Sequence, residues 1–278
     1  MKRLLIFGLS GQIGTALAPM LAAGGYSALA VSRTVRPDGA TIQWQLTSLE
    51  TAPPFAEEFA AILSLGPLDA FADWLSSSRP ATTRVIAIGS TSAHSKADVS
   101  DPRERALAAS LLDAETRLRD ACALTGIGLT LLRPTLIYGN GRDQSLTPML
   151  GLARRWRLLP WPRAAIGLRQ PVHVDDLAGA VMQCLQRPET AGRCFDLPGG
   201  ETLSVATMLK RGASVLAPEV HLLPMPLWAF GLALKIAARS SGEAASARGI
   251  VQRLRHDQLF DAGPAHEAFG YVPRRFSP

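Results

Sequence analysis

The chain opens on an apolar run, Leu4 to Phe7, that gives way to Gly8, Ser10, Gly11 and Gly14 and then to a second apolar stretch, Thr15 to Ala23. A short apolar run bounded by glycine reads as a buried strand, and the longer stretch after it as a helix. The same alternation continues. Strands are expected at Tyr26–Val31, Ile42–Leu46, Ala60–Leu65, Arg84–Gly89 and Gly128–Leu132, with helices at Leu68–Ser77 and Asp101–Thr125 and a polar stretch from Ser90 to Asp101. Strands alternating with helices predict a parallel sheet covered on both faces, an α/β doubly wound arrangement.

Beyond Tyr138 the texture changes. Pro, Gly, Trp and Arg are dense between Gly139 and Arg169, as in a lobe inserted between sheet elements. Pro171–Val174 then reads as a short strand, Asp175–Leu185 as a helix with acidic residues in its first turn, and Cys194–Leu197 as another strand before a helical C-terminal region. The apolar tract Leu222–Ala238 is expected to be a packed helix. It contains Pro224, Pro226, Gly231 and Lys235, and it falls short of the ~20 residues that span a bilayer. The expected organisation is a nucleotide-binding domain over 1–139, with 170–187 returning to it, and a lobe formed by 140–169 and 188–278.

An apolar content of 47% in 278 residues supports a proper core. The three cysteines, Cys122, Cys184 and Cys194, form no C-x-x-C pair and no metal spacing, which fits a reducing, cytoplasmic setting. Lys2 and Arg3 before an apolar run imitate a secretion signal, but Gly8, Gly11 and Gly14 break its apolar core. The net charge of +6 comes almost wholly from arginine, with Arg154, Arg155, Arg157, Arg163 and Arg169 crowding one region. Without an interleaved aromatic platform, this cluster favours a diphosphate-bearing small molecule over nucleic acid, or a solvated basic face that leaves peripheral membrane contact open.

The G-x-x-G-x-x-G spacing of Gly8, Gly11 and Gly14 has a mechanical reason. One glycine makes the tight turn, one lets the backbone approach a pyrophosphate, and one lets the helix pack on the strand. Together with Ile88-Gly89-Ser90-Thr91-Ser92, Leu132-Arg133-Pro134-Thr135-Leu136-Ile137-Tyr138-Gly139 and Arg169-Gln170-Pro171-Val172-His173-Val174-Asp175-Asp176-Leu177-Ala178, this loop resembles the extended short-chain dehydrogenase/reductase family, the NAD-dependent epimerases and dehydratases of nucleotide sugars. The resemblance spans residues 1 to 200 or so. It implies a Rossmann-type domain with a smaller, mostly C-terminal substrate-binding lobe and the active site between them. It also implies cofactor contacts from Gly8, Ser10, Gly11, Gln12, Ile13, Gly14, Ser32, Arg33 and Gly66.

Where a ribose 2′-hydroxyl favours an acidic residue at the end of strand two, this chain has Ser32 and Arg33. A hydroxyl and a guanidinium suit a 2′-phosphate, so NADP is expected before NAD. Catalysis departs from the family. Its Tyr-x-x-x-Lys pair corresponds to Leu107 and Leu111, and the three tyrosines, Tyr26, Tyr138 and Tyr271, are followed four residues later by Ala30, Arg142 and Arg275. Thr91 falls at the family's catalytic Ser or Thr, for contact with a substrate oxygen. His94 and Lys96 just beyond it, His94 above all, are candidates for proton transfer, and Tyr138 is a weaker one.

Arg169 stands where the family contacts a nucleotide diphosphate, and Arg142 is a second substrate-side candidate. Trp156 and Trp161 are available for ring stacking or for packing the lobe. His173, Asp175 and Asp176 match a strand end and helix start in the family pattern, so no metal is expected. Two readings stay open: an oxidoreductase or epimerase acting on a nucleotide- or lipid-linked sugar, and a catalytically silent NADP-binding sensor or scaffold.

Overall fold

A computed structural model describes residues 1–96, 99, 101–143, 146–216, 220–232 and 254–278. Its centre is a seven-stranded sheet. Strand β1 (Lys2–Phe7) lies inside it because Leu4, Leu5 and Ile6 are all fully buried, as a strand covered on both faces requires. Around it stand β2 (Tyr26–Ser32), β3 (Ile42–Leu46), β4 (Ala61–Ser64), β5 (Arg84–Ile88) and β6 (Gly128–Pro134). The order is β11-β6-β5-β4-β1-β2-β3, every pairing parallel, with β11 at Arg193–Leu197.

Helices α1 (Gln12–Ala23) and α6 (Val174–Gln186) cover one face through Ile13, Leu17, Leu177 and Val181. Helices α2 (Leu68–Ser78) and α4 (Pro102–Thr125) cover the other, where Phe71, Trp74, Leu75 and Leu118 pack beneath Phe7. Helix α4 starts where a β-region Asp101 accepts the Arg103 N–H, and it stops at Gly126, whose φ of 70° ends it in the left-handed region. Strand order reverses between β1 and β4, and a parallel sheet of this kind takes its ligand outside the carboxyl ends at that point.

The lobe has its own core. Helix α5 (Leu146–Trp156), β8 (Leu158–Pro162), α7 (Val205–Leu216) and β13 (His221–Met225) enclose Leu150, Ala153, Leu159, Met208 and Leu209. Two short pairings lie outside the main sheet: β7 (Ile137–Tyr138) with β10 (Val172–His173), in parallel, and β9 (Leu168–Arg169) with β12 (Leu203–Ser204), antiparallel.

Two expectations need correction. The tract Leu222–Ala238 does not begin as a helix: His221–Met225 pair in parallel with β8, and helix is found only over 227–232. Pro224 and Pro226 remove donors that a helix needs, and a strand with one partner tolerates them. The rest of that tract lies outside the described residues. The lobe also does not take everything from 188 onward. Strand β11 completes the main sheet, and α8 (Gly263–Phe269) packs Phe269 against Phe195 at 5.1 Å between ring centroids.

Burial also fixes the cysteine chemistry. It pushes the Cys122 thiol up to about 12 and the Cys184 thiol up to about 11. At pH 8 neither is a thiolate, so a disulfide reagent is expected to leave both unmodified in the native protein and to label both after unfolding, as read by mass spectrometry.

Candidate functional site

Three glycines shape the loop after β1. Gly8 has φ +86°, and a Cβ there would stand 2.8 Å from the Leu65 carbonyl carbon and 2.9 Å from Gly66 N, so the loop lies directly against the end of β4. A Cβ on Gly14 would come within 2.3 Å of Leu9 Cα, which is how closely α1 packs on the loop. Gly11 donates its N–H to Gly8 O at 2.9 Å and forms the N-cap of α1 with no side-chain cap. The first turn of α1 carries no acid. Its N–H groups therefore face an acceptor from outside, which is the arrangement that binds phosphate.

Gly66 borders this space, with no atom within 4 Å of a Cβ placed on it. Ile13 is buried in the core, so only its backbone is available to a ligand, while Ser10 and Gln12 are half-buried at the rim. A pyrophosphate fits this cradle because the positions nearest it carry no side-chain bulk.

Strand β2 ends beside the loop. The Ser32 hydroxyl donates to Thr34 O at 2.9 Å and accepts the Thr34 N–H at 3.2 Å, which closes a tight turn. That turn projects Arg33 into solvent, and Arg36 lies over the Trp44 ring at 5.2 Å. Hydrogen bonds from the Ser48 hydroxyl and its own backbone, with a smaller contribution from Arg33, hold the exposed Glu50 carboxyl below the usual range. Both signs of charge thus meet at the end of β2.

At the end of β5, Thr91 is buried, and both its N–H and its hydroxyl donate to Pro134 O, each at 3.1 Å. His94 is exposed on the single turn α3 (Ser92–Ser95), and Lys96 pairs with Glu104 on α4 at 2.8 Å. Along α4, Leu107 is 45% exposed, Leu111 is half-buried and Ala108 is buried. One turn further, the fully buried Glu115 binds Arg133 on β6, with Nε donating to Oε1 at 2.8 Å and Nη2 donating to Oε2. A Cβ on Gly89 would lie 3.3 Å from Glu115 Oε1, so this pair backs the turn that carries Thr91. Neither Glu115 nor Arg133 carried a role in the sequence analysis above. A charged residue on the buried face of α4, with an arginine in the next strand, was the available signal.

The lobe side separates the two arginine candidates. Arg169 is buried, and its Nη1 donates to Leu168 O at 2.7 Å and His256 O at 2.6 Å, fastening the segment around 256. Arg142 instead reaches the glycine loop, donating to Thr15 Oγ1 at 3.0 Å. Tyr138 is sealed: its hydroxyl accepts the Ser277 N–H at 3.1 Å, and burial pushes the phenol above its ordinary value, which leaves it unsuited to proton transfer near neutral pH. Trp161 is half-buried with Lys210 over its ring, and Trp156 is 60% exposed. His173 caps α6 by accepting the Asp175 N–H at 3.2 Å, and burial lowers its pKa. No group of three metal-ligating side chains is found among the described residues, nor any helix long and apolar enough to cross a membrane.

The same arrangement is known from solved structures. A UDP-glucuronic acid 4-epimerase from Bacillus cereus, holding UDP-glucuronic acid and NAD, superposes with a TM-score of 0.74 at 11% identity over 99% of this chain and 95% of that one. A UDP-glucose 4-epimerase from Thermotoga maritima with UDP-glucose gives 0.72 at 14% identity over 98% and 94%. The chain thus shares the Rossmann-like fold of these epimerase structures, a parallel sheet flanked by helices.

In sequence, the chain is 25% identical over 161 residues to the UDP-glucose 4-epimerase of Vibrio cholerae, a match covering 58% of this chain and 47% of that protein. The match thus spans about half of the curated relative's length. No protein-family profile matches the chain. The resemblance to the epimerase and dehydratase branch of the extended short-chain family therefore holds in both sequence and fold.

Proposed function

We propose that the protein binds NADP and acts as an oxidoreductase or epimerase on a nucleotide-linked or lipid-linked sugar in a reducing, cytoplasmic setting. The observation that carries this reading is the glycine cradle at the switch point of the sheet, with Arg33 presented at the ribose end by the Ser32 turn. The cofactor supplies hydride transfer when bound. The chain's own residues position it: Gly8, Gly11 and Gly14 admit the pyrophosphate, and Arg33 faces the 2′-phosphate with Arg36 close by. In this reading Thr91 accepts a hydrogen bond from a substrate hydroxyl and the proton comes from His94 or water, while Arg169, expected from sequence on the diphosphate side, is buried with its Nη1 donating to the Leu168 and His256 carbonyls.

Native protein is expected to bind NADPH more tightly than NADH, and Arg33→Ala is expected to weaken NADPH binding about tenfold, the scale of one charge-assisted hydrogen bond. Fluorescence titration of both cofactors checks this. An unchanged NADPH preference in Arg33→Ala removes the reason for choosing NADP.

A second reading is favoured by Leu107 and Leu111, which leave the cleft face of α4 without a titratable pair. Here the protein is a catalytically silent NADP-binding sensor or scaffold. NADPH binding without hydride transfer to any of a panel of keto-sugar nucleotides would decide for it.

A further inference from the structure

The lobe carries a one-sided charge. No Asp or Glu occurs from Gln144 to Val174, a stretch with five arginines, and Glu219 is the one acid from Thr202 to Leu232, which holds Lys210 and Arg211. Part of that charge is engaged within the protein. Arg169 is buried, Lys210 lies over the Trp161 ring at 4.9 Å, and Arg211 pairs with Glu201 at 2.8 Å. Arg154, Arg155, Arg157 and Arg163 are exposed, and among the described residues no acid forms an ion pair with Arg154, Arg155 or Arg163.

The fold sets these cations beside exposed apolar residues. Strand β8 runs between Arg157 and Arg163 with β13 along it: the His221 N–H donates to Arg157 O at 2.9 Å, and the Arg163 N–H donates to Met225 O at 3.0 Å. Among the described residues β13 has no second partner. Leu223 and Pro224 are exposed along it and Pro226 just past its end, where the chain enters the helix over 227–232. There Trp228 is 75% and Leu232 54% exposed, and a spacing of four puts them on one helix face. Water does not reward tryptophan and leucine held in the open. A membrane–water interface does, because the apolar groups enter the headgroup boundary while guanidinium groups stay on the lipid phosphates.

We propose that this face of the lobe docks on an anionic membrane surface, with Trp228 and Leu232 entering the headgroup layer and the arginines around β8 binding lipid phosphates. Two other occupants fit less well. A nucleic acid would meet aliphatic and proline side chains where its bases need a row of aromatic faces. A second copy in a two-fold contact would set the same arginines against each other. Of the two substrates proposed above, docking favours the lipid-linked sugar, whose carrier stays in the bilayer. That preference, unlike the docking itself, rests on the proposed function.

Flotation of the full chain with phosphatidylcholine vesicles, with and without phosphatidylglycerol as about a quarter of the lipid, tests the contact. Native protein is expected to float with the anionic vesicles at low salt, to lose most of that binding at about 0.5 M salt, and not to float with the neutral ones. Arg154→Gln with Arg155→Gln is expected to weaken binding about 25-fold, or about fivefold for each charge. Trp228→Ser with Leu232→Ser is expected to weaken it about tenfold and to keep the salt dependence. All four side chains are exposed, so both variants should unfold at the native temperature, which thermal denaturation checks. Native protein that binds NADPH but floats with neither vesicle overturns the docking surface and leaves the cofactor reading intact. Protein that floats as expected but binds no NADPH supports the surface and overturns the proposed function. Duplex DNA bound as tightly as anionic vesicles and equally well by the Trp228→Ser variant would assign the face to nucleic acid. A native dimer that light scattering finds separated in that variant would assign it to a second copy, and either result overturns the proposal.

Discussion

Replacing Glu115 by alanine is expected to destabilise the protein by about 3–5 kcal/mol, the cost of leaving a buried charge without its partner. The Glu115 side chain has no exposure and that of Arg133 only 12%. Arg119 adds a contact to the same carboxylate at 3.2 Å, and the remaining acid near Arg133 is Asp196, 4.0 Å from Nη1. In a urea titration the midpoint should fall while the slope stays constant, since the surface exposed on unfolding is the same. Changing both partners, Glu115→Leu with Arg133→Met, should recover much of the loss, because an apolar replacement of a buried pair is often neutral. Equal midpoints for native protein and Glu115→Ala would show that the pair contributes nothing to stability. The carboxylate also backs Gly89, so the alanine variant should loosen the Ser90–Thr91 turn.

The main sheet was legible because its signals are local. Strands β1, β2, β4, β5 and β6 are mostly apolar blocks too short for a helix, β3 alternates apolar residues with Gln43 and Gln45, and the cap and stop of α4, Asp101 and Gly126, are both visible in the sequence. Strand β11 was equally visible as a strand, but nothing local says which sheet it joins. Its partner β6 lies some sixty positions earlier, before the first part of the lobe and α6, and the register Arg193↔Thr130 is a tertiary fact. The tract at Leu222 failed for the opposite reason. Its apolar residues fit a helix or a strand equally well, and the parallel partner β8 decided the matter.

The candidate site divides along the same line. The glycine cradle depends on backbone room, and a missing side chain can be read directly from sequence. Where an arginine ends up depends on the loop that carries it. Arg142 and Arg169 both looked substrate-facing, yet three residues of positive φ turn one onto the glycine loop and first helix, and a bond to His256 O holds the other against the chain. Thr91 behaves in a third way. The sequence puts it just past β5, but only the fold shows that it is buried with its hydroxyl proton given to Pro134 O, which leaves the oxygen's lone pairs as acceptors.

On the proposed NADP-dependent reading, installing a Tyr-x-x-x-Lys relay, Leu107→Tyr together with Leu111→Lys, is expected to raise the rate of hydride transfer from NADPH to a keto-sugar nucleotide by about 10²–10⁴, the usual yield of a positioned acid. The two positions are four residues apart on α4 and so share a face. Leu107 is 45% exposed, which admits a phenol without displacing the core, and the half-buried Leu111 leaves a lysine stem room to carry its ammonium outward. An ammonium within ~6 Å of the phenol lowers its pKa from about 10 by favouring the phenolate. The activity of the double variant should therefore acquire a titration below pH 10 that Leu107→Tyr alone shows only at higher pH. Single-turnover measurements over a pH series separate the cases. A large gain in the double variant and a small one in Leu107→Tyr would mean that the cleft still presents cofactor and substrate in reactive register. No gain in either, with NADPH still bound, would mean that the leucines are one part of a wider loss, and the sensor or scaffold reading would take precedence.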